Sequence, residues 1–198
     1  MSGAGRDDSP AGAGTPGDAA SGGSASAASA ASPGDAGAGA APVVIRPAAA
    51  GDAPTLGKLG AEMLRLHHAF DPDRFMAPGP HTEEGYGRFL AAERENDDTL
   101  VLVAERAGEI LGYVFAGVEP RSWKELRDVA GFVHDVLVVE PARGGGIGAR
   151  LVEAAAEWLV ARGMPRVMLW TAAKNAAAQR LFERLGFRRT MIEMTRER

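Results

Sequence analysis

The run Arg143-Gly144-Gly145-Gly146-Ile147-Gly148 stands between an apolar, valine-rich stretch, Phe132 to Val139, and a stretch with helically spaced apolar residues, Ala149 to Arg162. A strand that turns through glycines straight into a helix commits this part of the chain to a mixed α/β arrangement. Without Cβ atoms the backbone of such a turn can adopt positive φ and approach a ligand closely. The unpaired N–H groups that open the helix then point outward, where the helix dipole favours negative charge. That combination suits a phosphate group.

The remaining elements fall on either side of this unit. Val43 to Arg46 reads as a short strand, stopped by Pro47. Asp52 is placed to cap a helix in which Leu56, Leu59, Met63 and Leu66 recur at helical spacing, to about His68. Asp71-Pro72-Asp73 breaks it, and Thr82 to Glu95 reads as a second helix. Thr99–Glu105 and Ile110–Val118 are β-rich and joined by Ala107-Gly108, the pattern of an antiparallel hairpin. After the glycine turn and its helix come a strand (Arg166 to Thr171), a helix opened by Asn175 and closed by Gly186, and one or two final strands within Phe187–Arg196. The order β-α-α-β-β-β-α-β-α-β predicts a mixed, partly antiparallel central sheet flanked by helices, with a parallel crossover late in the chain.

Composition divides the 198 residues in two. Residues 1–41 are nearly all Ala, Gly, Ser, Pro and Asp, with no large apolar residue after Met1, so they are expected to form a disordered tail. They lack the basic start and apolar centre of a secretory signal and the arginines of a transit peptide. Residues 42–198 are long enough for one core. Positive and negative residues nearly balance there and no basic run occurs, which argues against nucleic acid as a partner. No stretch approaches the ~20 apolar residues of a membrane span. The chain has no cysteine, so disulfides and thiolate metal sites are excluded and a cytoplasmic location is expected.

Three ligands compete for the glycine turn. A nucleoside-triphosphate loop requires Lys-Ser/Thr where Ala149-Arg150 stand. A dinucleotide site fits the spacing of Gly144, Gly146 and Ala149 but requires an acidic residue on the strand that here reads Val167-Met168-Leu169-Trp170-Thr171. The third is the diphosphate of coenzyme A. Val138 followed by Arg143-x-x-Gly146-x-Gly148, and then Asn175, Ala178, Leu181-Phe182 and Leu185-Gly186-Phe187, resembles the two linked motifs of the GNAT superfamily of acetyl-CoA-dependent N-acetyltransferases. The resemblance covers residues 43–198.

That resemblance implies a GNAT-like acyl-CoA N-acyltransferase fold and the transfer of an acetyl group from acetyl-CoA to an amine, by direct attack in a ternary complex and without a metal. It implies that Val136, Leu137 and Val138 pair with the pantetheine arm and that the Val138 amide stabilises the oxyanion. The diphosphate would lie on Arg143, Gly144, Gly145, Gly146, Ile147, Gly148 and Ala149, in a gap where the strand carrying Val138 splays from the next. Asn175 would face the cofactor arm, although an N-cap role alone would also account for it.

His134 is the candidate base. Its spacing from Val138 puts both on one strand face, and serotonin N-acetyltransferases carry a histidine at this strand position. A structural role capping the sheet competes with that reading. Asp135 falls on the opposite face, with the roles reversed if the strand is bulged. Phe182 stands where the family's usual acid is Tyr; Tyr113, Thr171 or water could substitute. Trp170 stands five residues before Asn175, where ribosomal-protein N-terminal acetyltransferases carry Glu. The first expectation for the acceptor is therefore a small-molecule primary amine, with a peptide or protein amine second. A catalytically idle acyl-CoA sensor is the rival kept open by Phe182. Homodimers are common in the family, and Met191 to Thr195 carry apolar residues able to pair with a second chain.

Overall fold

In the computed structural model, residues 41–197 are described; the expected disordered tail falls, but for its last residue, outside the described residues. Five strands form one sheet: β1 (Val44–Pro47), β2 (Thr99–Arg106), β3 (Glu109–Glu119), β4 (Ala130–Val138) and β5 (Val167–Leu169). They lie in sequence order, antiparallel from β1 to β4 and parallel between β4 and β5. Pro47 lies within β1 instead of stopping it, which an edge strand tolerates because one side of it needs no N–H. The β2–β3 turn has Ala107 at φ 49° and Gly108 at φ 86°, the two positive values of a tight type I′ connection.

Four helices flank the sheet: α1 (Ala53–Phe70), α2 (Thr82–Glu93), α3 (Ile147–Ala161) and α4 (Ala176–Arg184). One face of the sheet packs Val114, Ala116 and Val133 against Leu151, Ala155 and Leu159 of α3. The other packs Val101, Val103, Tyr113, Phe115 and Leu137 against Leu56 and Leu59 of α1 and Leu90 of α2. The α1–α2 pair is close. A Cβ at Gly57 would collide with the Glu83 carbonyl oxygen, and one at Gly60 would fall on the Tyr86 ring. That absence of side chain lets Tyr86 lie inward over the sheet.

Two expected features differ. The strand foreseen from Arg166 to Thr171 is only three residues long. The final strands within Phe187–Arg196 are not formed, and Met191, Ile192 and Met194 are 79–89% exposed. That segment is tied to the rest by side chains instead: Phe187 packs on Phe182, Arg189 bonds Glu183 and Gln179, and Glu193 pairs with Arg74. Among the described residues no helix is long and apolar enough to cross a membrane.

Candidate active site

The chemistry centres on the place where β4 and β5 part. They pair over Gly131–Val133 and Val167–Leu169 only, so β4 from Asp135 to Val138 has no strand on that side. Successive residues of a strand turn their amides to opposite edges. Val139 donates to Leu111 in β3, at 2.9 Å, so the amides of Val138 and Val136 turn to the open side. The Val138 carbonyl on that side accepts from Arg143 Nε at 2.8 Å. Leu137 is the exception among the expected backbone contacts. Its amide is directed at β3 and its side chain is buried in the α1–α2 core, so it offers nothing to the open edge.

At the end of this edge the chain passes through a short 3₁₀ turn, Glu140–Ala142, and enters the glycine run. Gly144 (φ 83°) and Gly146 (φ 79°) take left-handed conformations, and Gly146 caps α3 without any side-chain bond. None of the amides from Gly144 to Ala149 has a backbone acceptor. No acidic residue lies in the first turn of α3. A Cβ at Gly144 or Gly146 would meet nothing within 4 Å, so the space over the turn is open. Six donors at a helix N-terminus with open space above them fit a diphosphate. Gly148 sits against Leu181 of α4 and Val138 of β4, which sets the turn beside the open edge. Arg143 is drawn over that edge and approaches Glu62 of α1 at 3.4 Å. The Ile147 side chain is buried in the α3 core, leaving its amide as its contribution.

A narrow cleft of about 50 Å³ continues from the gap, and His134, Asp135, Val136, Trp170, Asn175 and Phe182 are among its walls. Four expected residues therefore meet in one place: His134 and Val136 from β4, Asn175 from the cap of α4 and Phe182 from α4 itself. Asn175 Oδ1 accepts from the Ala178 amide at 3.1 Å, so it is an N-cap as well as a wall of the cleft. Phe182 is buried against Phe187 and carries no proton to give.

The expected division of faces on β4 does not hold. Pairing shifts between Phe115/Asp135 and Ala116/Val133, so His134 is the extra residue of a β-bulge. His134 consequently leaves the Val138 face and joins Asp135 on the α1–α2 side. Its ring stacks between Phe115 and Phe132, with centroids 4.8 and 5.0 Å away. Nε2 lies 3.3 Å from Glu119 Oε1, and Glu119 is held in turn by Arg127 at 3.5 Å. Burial pushes the His134 pKa below the ordinary histidine value, against the opposing pull of Glu119, Asp135 and Glu93. The imidazole is thus biased toward its neutral, proton-accepting form.

Asp135 accepts hydrogen bonds from the hydroxyls of Tyr86 and, at 3.4 Å, Tyr113. Burial raises its pKa above the usual carboxylate range, and those two hydroxyls with His134 partly offset the rise. Burial, followed by the adjoining carboxylate, holds both tyrosines well above the normal phenol value. Tyr113 is fully buried, so it is not the free hydroxyl that could replace an acid at Phe182, whereas Thr171 does line the cleft. Tyr86, on α2, is a residue of this site that sequence reasoning does not single out. The legible signal was its phenol, a polar tip that needs a partner when buried.

Residues 63–187 match the family described as Acetyltransferase (GNAT) family. The mycothiol acetyltransferase of Amycolatopsis mediterranei (strain U-32) is 34% identical over 94 residues, covering 47% of this chain and 31% of the relative. The chain thus spans about a third of the length of that relative. The uncharacterized N-acetyltransferase YhfO of Bacillus subtilis (strain 168) is 31% identical over 106 residues, covering 52% of this chain and 68% of YhfO. An aminoglycoside N-acetyltransferase solved in complex with CoA shares the fold, with a TM-score of 0.63 at 15% identity over 81% of this chain and 97% of that one. With the family match spanning most of the described residues, and with a splayed β4–β5 pair leading into a glycine-capped α3, the chain belongs to the GNAT acetyltransferase family, whose co-substrate is acetyl-CoA.

Proposed function

We propose that this domain transfers an acetyl group from acetyl-CoA to a primary amine on a small molecule, the amine attacking directly within a ternary complex. The observation that carries the reading is the continuity of two unpaired stretches of backbone: the open edge of β4 and the six free amides from Gly144 to Ala149. The first suits an extended amide-bearing arm and the second its diphosphate. The likeness to mycothiol acetyltransferases supports a small acceptor.

His134 takes the proton of the incoming ammonium, directly or through water, and so frees the nitrogen lone pair. The Val138 amide, with Val136 beside it, donates to the carbonyl oxygen as negative charge builds on it. A C–N bond forms, the C–S bond breaks, the electron pair leaves on sulfur, and the surplus proton of the new ammonium nitrogen passes through water to the thiolate. A thiolate with a pKa of about 8.5 is a competent leaving group, so Phe182 in place of an acid is compatible with turnover. Asn175 and Phe182 wall the arm.

Gly145→Glu separates binding from folding. Gly145 has no positive φ, and a Cβ there meets only the Ala142 carbonyl oxygen at 3.7 Å. An acid near a helix N-terminus favours the helix but repels a diphosphate. Calorimetry should show acetyl-CoA affinity falling about tenfold or more, with the melting temperature maintained. Undiminished affinity would remove the diphosphate assignment. Thiol release with a panel of amines then tests transfer. If acetyl-CoA binds and no amine raises release, the chain is the acyl-CoA sensor that Phe182 would suit.

A further inference from the structure

Resting on the transferase reading, we propose that the acceptor is a cationic amine carrying a flat aromatic group, received between Trp170 and the carboxylates around His134. Six rings form an unbroken ribbon across this side of the sheet. Trp170 meets Phe132 edge-on at 4.9 Å, Phe132 and Phe115 sandwich His134, Phe115 meets Phe89 at 5.5 Å, and Phe89 meets Tyr86 at 5.7 Å. The ribbon is not all core. Trp170 is 69% exposed although it walls the same cleft as His134. An indole held edge-on to a buried ring and open on its other side is a platform for a second flat group.

Charge specifies the other end of the ligand. Glu119, Asp135 and Glu93 act on His134 from β3, β4 and α2. The cation nearest to Glu119, Arg127, is also engaged by Glu125, and His67 is the other titratable group lining the cleft. The surroundings thus favour an ammonium and disfavour an amine that also bears phosphate or carboxylate. Hydrogen-bonding capacity for a sugar is low. Among the described residues the lining carries a single hydroxyl, Thr171, and Asn175 Oδ1 is committed to the Ala178 amide. A polyhydroxylated acceptor would lose water contacts without replacement.

The experiment uses the full chain with saturating acetyl-CoA and compares kcat/KM for 2-phenylethylamine, 2-cyclohexylethylamine and glucosamine. The expected order places 2-phenylethylamine first, at least about tenfold above glucosamine. Trp170→Ala should lower kcat/KM for 2-phenylethylamine about fivefold to tenfold, through KM, and shrink its advantage over the cyclohexyl amine, while Trp170→Phe retains most of it. Equal or better use of glucosamine, or an unchanged aryl-to-cyclohexyl ratio in Trp170→Ala, overturns the proposal. Calorimetry of 2-phenylethylamine into CoA-saturated protein separates the two readings. Aryl-amine binding without turnover upholds the aromatic site and sinks the transferase; turnover of glucosamine alone does the reverse.

Discussion

At the scale of single residues, two neighbours on β4 carry opposite electrostatic signatures. Burial lowers the His134 pKa and raises that of Asp135. If His134 is the base, kcat/KM rises with pH through a midpoint below the ordinary histidine value of 6.5 and then levels. His134→Ala should lose that inflection and ~10²–10⁴-fold in kcat, with acetyl-CoA affinity nearly unchanged. An identical pH profile in the variant would remove His134 from the reaction. Asp135 makes a prediction about stability. Its folded-state pKa is raised, so the folded state holds the proton to higher pH than the unfolded chain does. Stability is therefore lost as pH rises from the ordinary carboxylate range through the folded pKa. Asp135→Asn, which still accepts from Tyr86, should melt higher than the parent at pH 7 and equal to it once both forms are uncharged in acid. A variant that melts lower at pH 7 would contradict the burial assignment. The sequence identified His134 as chemically loaded, but its facing followed from simple alternation. One extra residue in β4 reversed it, and no residue type announces a bulge.

At the scale of elements, the α1–α2 contact determines what reaches the site. Gly60 makes room for Tyr86, and Tyr86 holds Asp135. Alanine favours a helix over glycine by up to about 1 kcal/mol, whereas overpacking costs about 1–3 kcal/mol. Because the added methyl would land on a ring already tied at its hydroxyl, overpacking should win. Gly60→Ala is expected to lose about 1–2 kcal/mol in urea unfolding and to weaken turnover through the displaced Tyr86. A stabilised variant would show that the helices part freely. Helices and the hairpin were legible because their signals are local: apolar spacing, Asn175 as a cap, Ala107-Gly108 as a turn. The short extent of β5 and the absence of the last strands were not. A strand of three residues and an unpaired tail of apolar and charged residues differ from longer strands in their partners, and those lie elsewhere in the chain.

At the scale of the whole molecule, the open seam between β4 and β5 couples binding to stability. A ligand filling it binds the folded state alone, so acetyl-CoA at about one hundred times its Kd should stabilise the domain by about 2.7 kcal/mol. Chemical unfolding with and without acetyl-CoA measures this. No gain at that ratio would place the ligand off the seam. The seam exists because β5 ends at Leu169 while β4 runs on to Val138, a mismatch of lengths that belongs to neither strand alone.

Taken alone, the sequence determined the order of the elements as far as α4, the glycine-capped entry to α3 and the family those motifs resemble. All of these depend on spacing along the backbone or on conformations that few residues can adopt. Only the tertiary structure decided that Leu137 turns from the open edge, that His134 and Asp135 share a face, that Tyr113 is spent within the core, and that Trp170 stands exposed beside the cleft. Those outcomes depend on pairing register and on which side chains compete for the same buried space, and both are set by contacts between residues far apart in the chain.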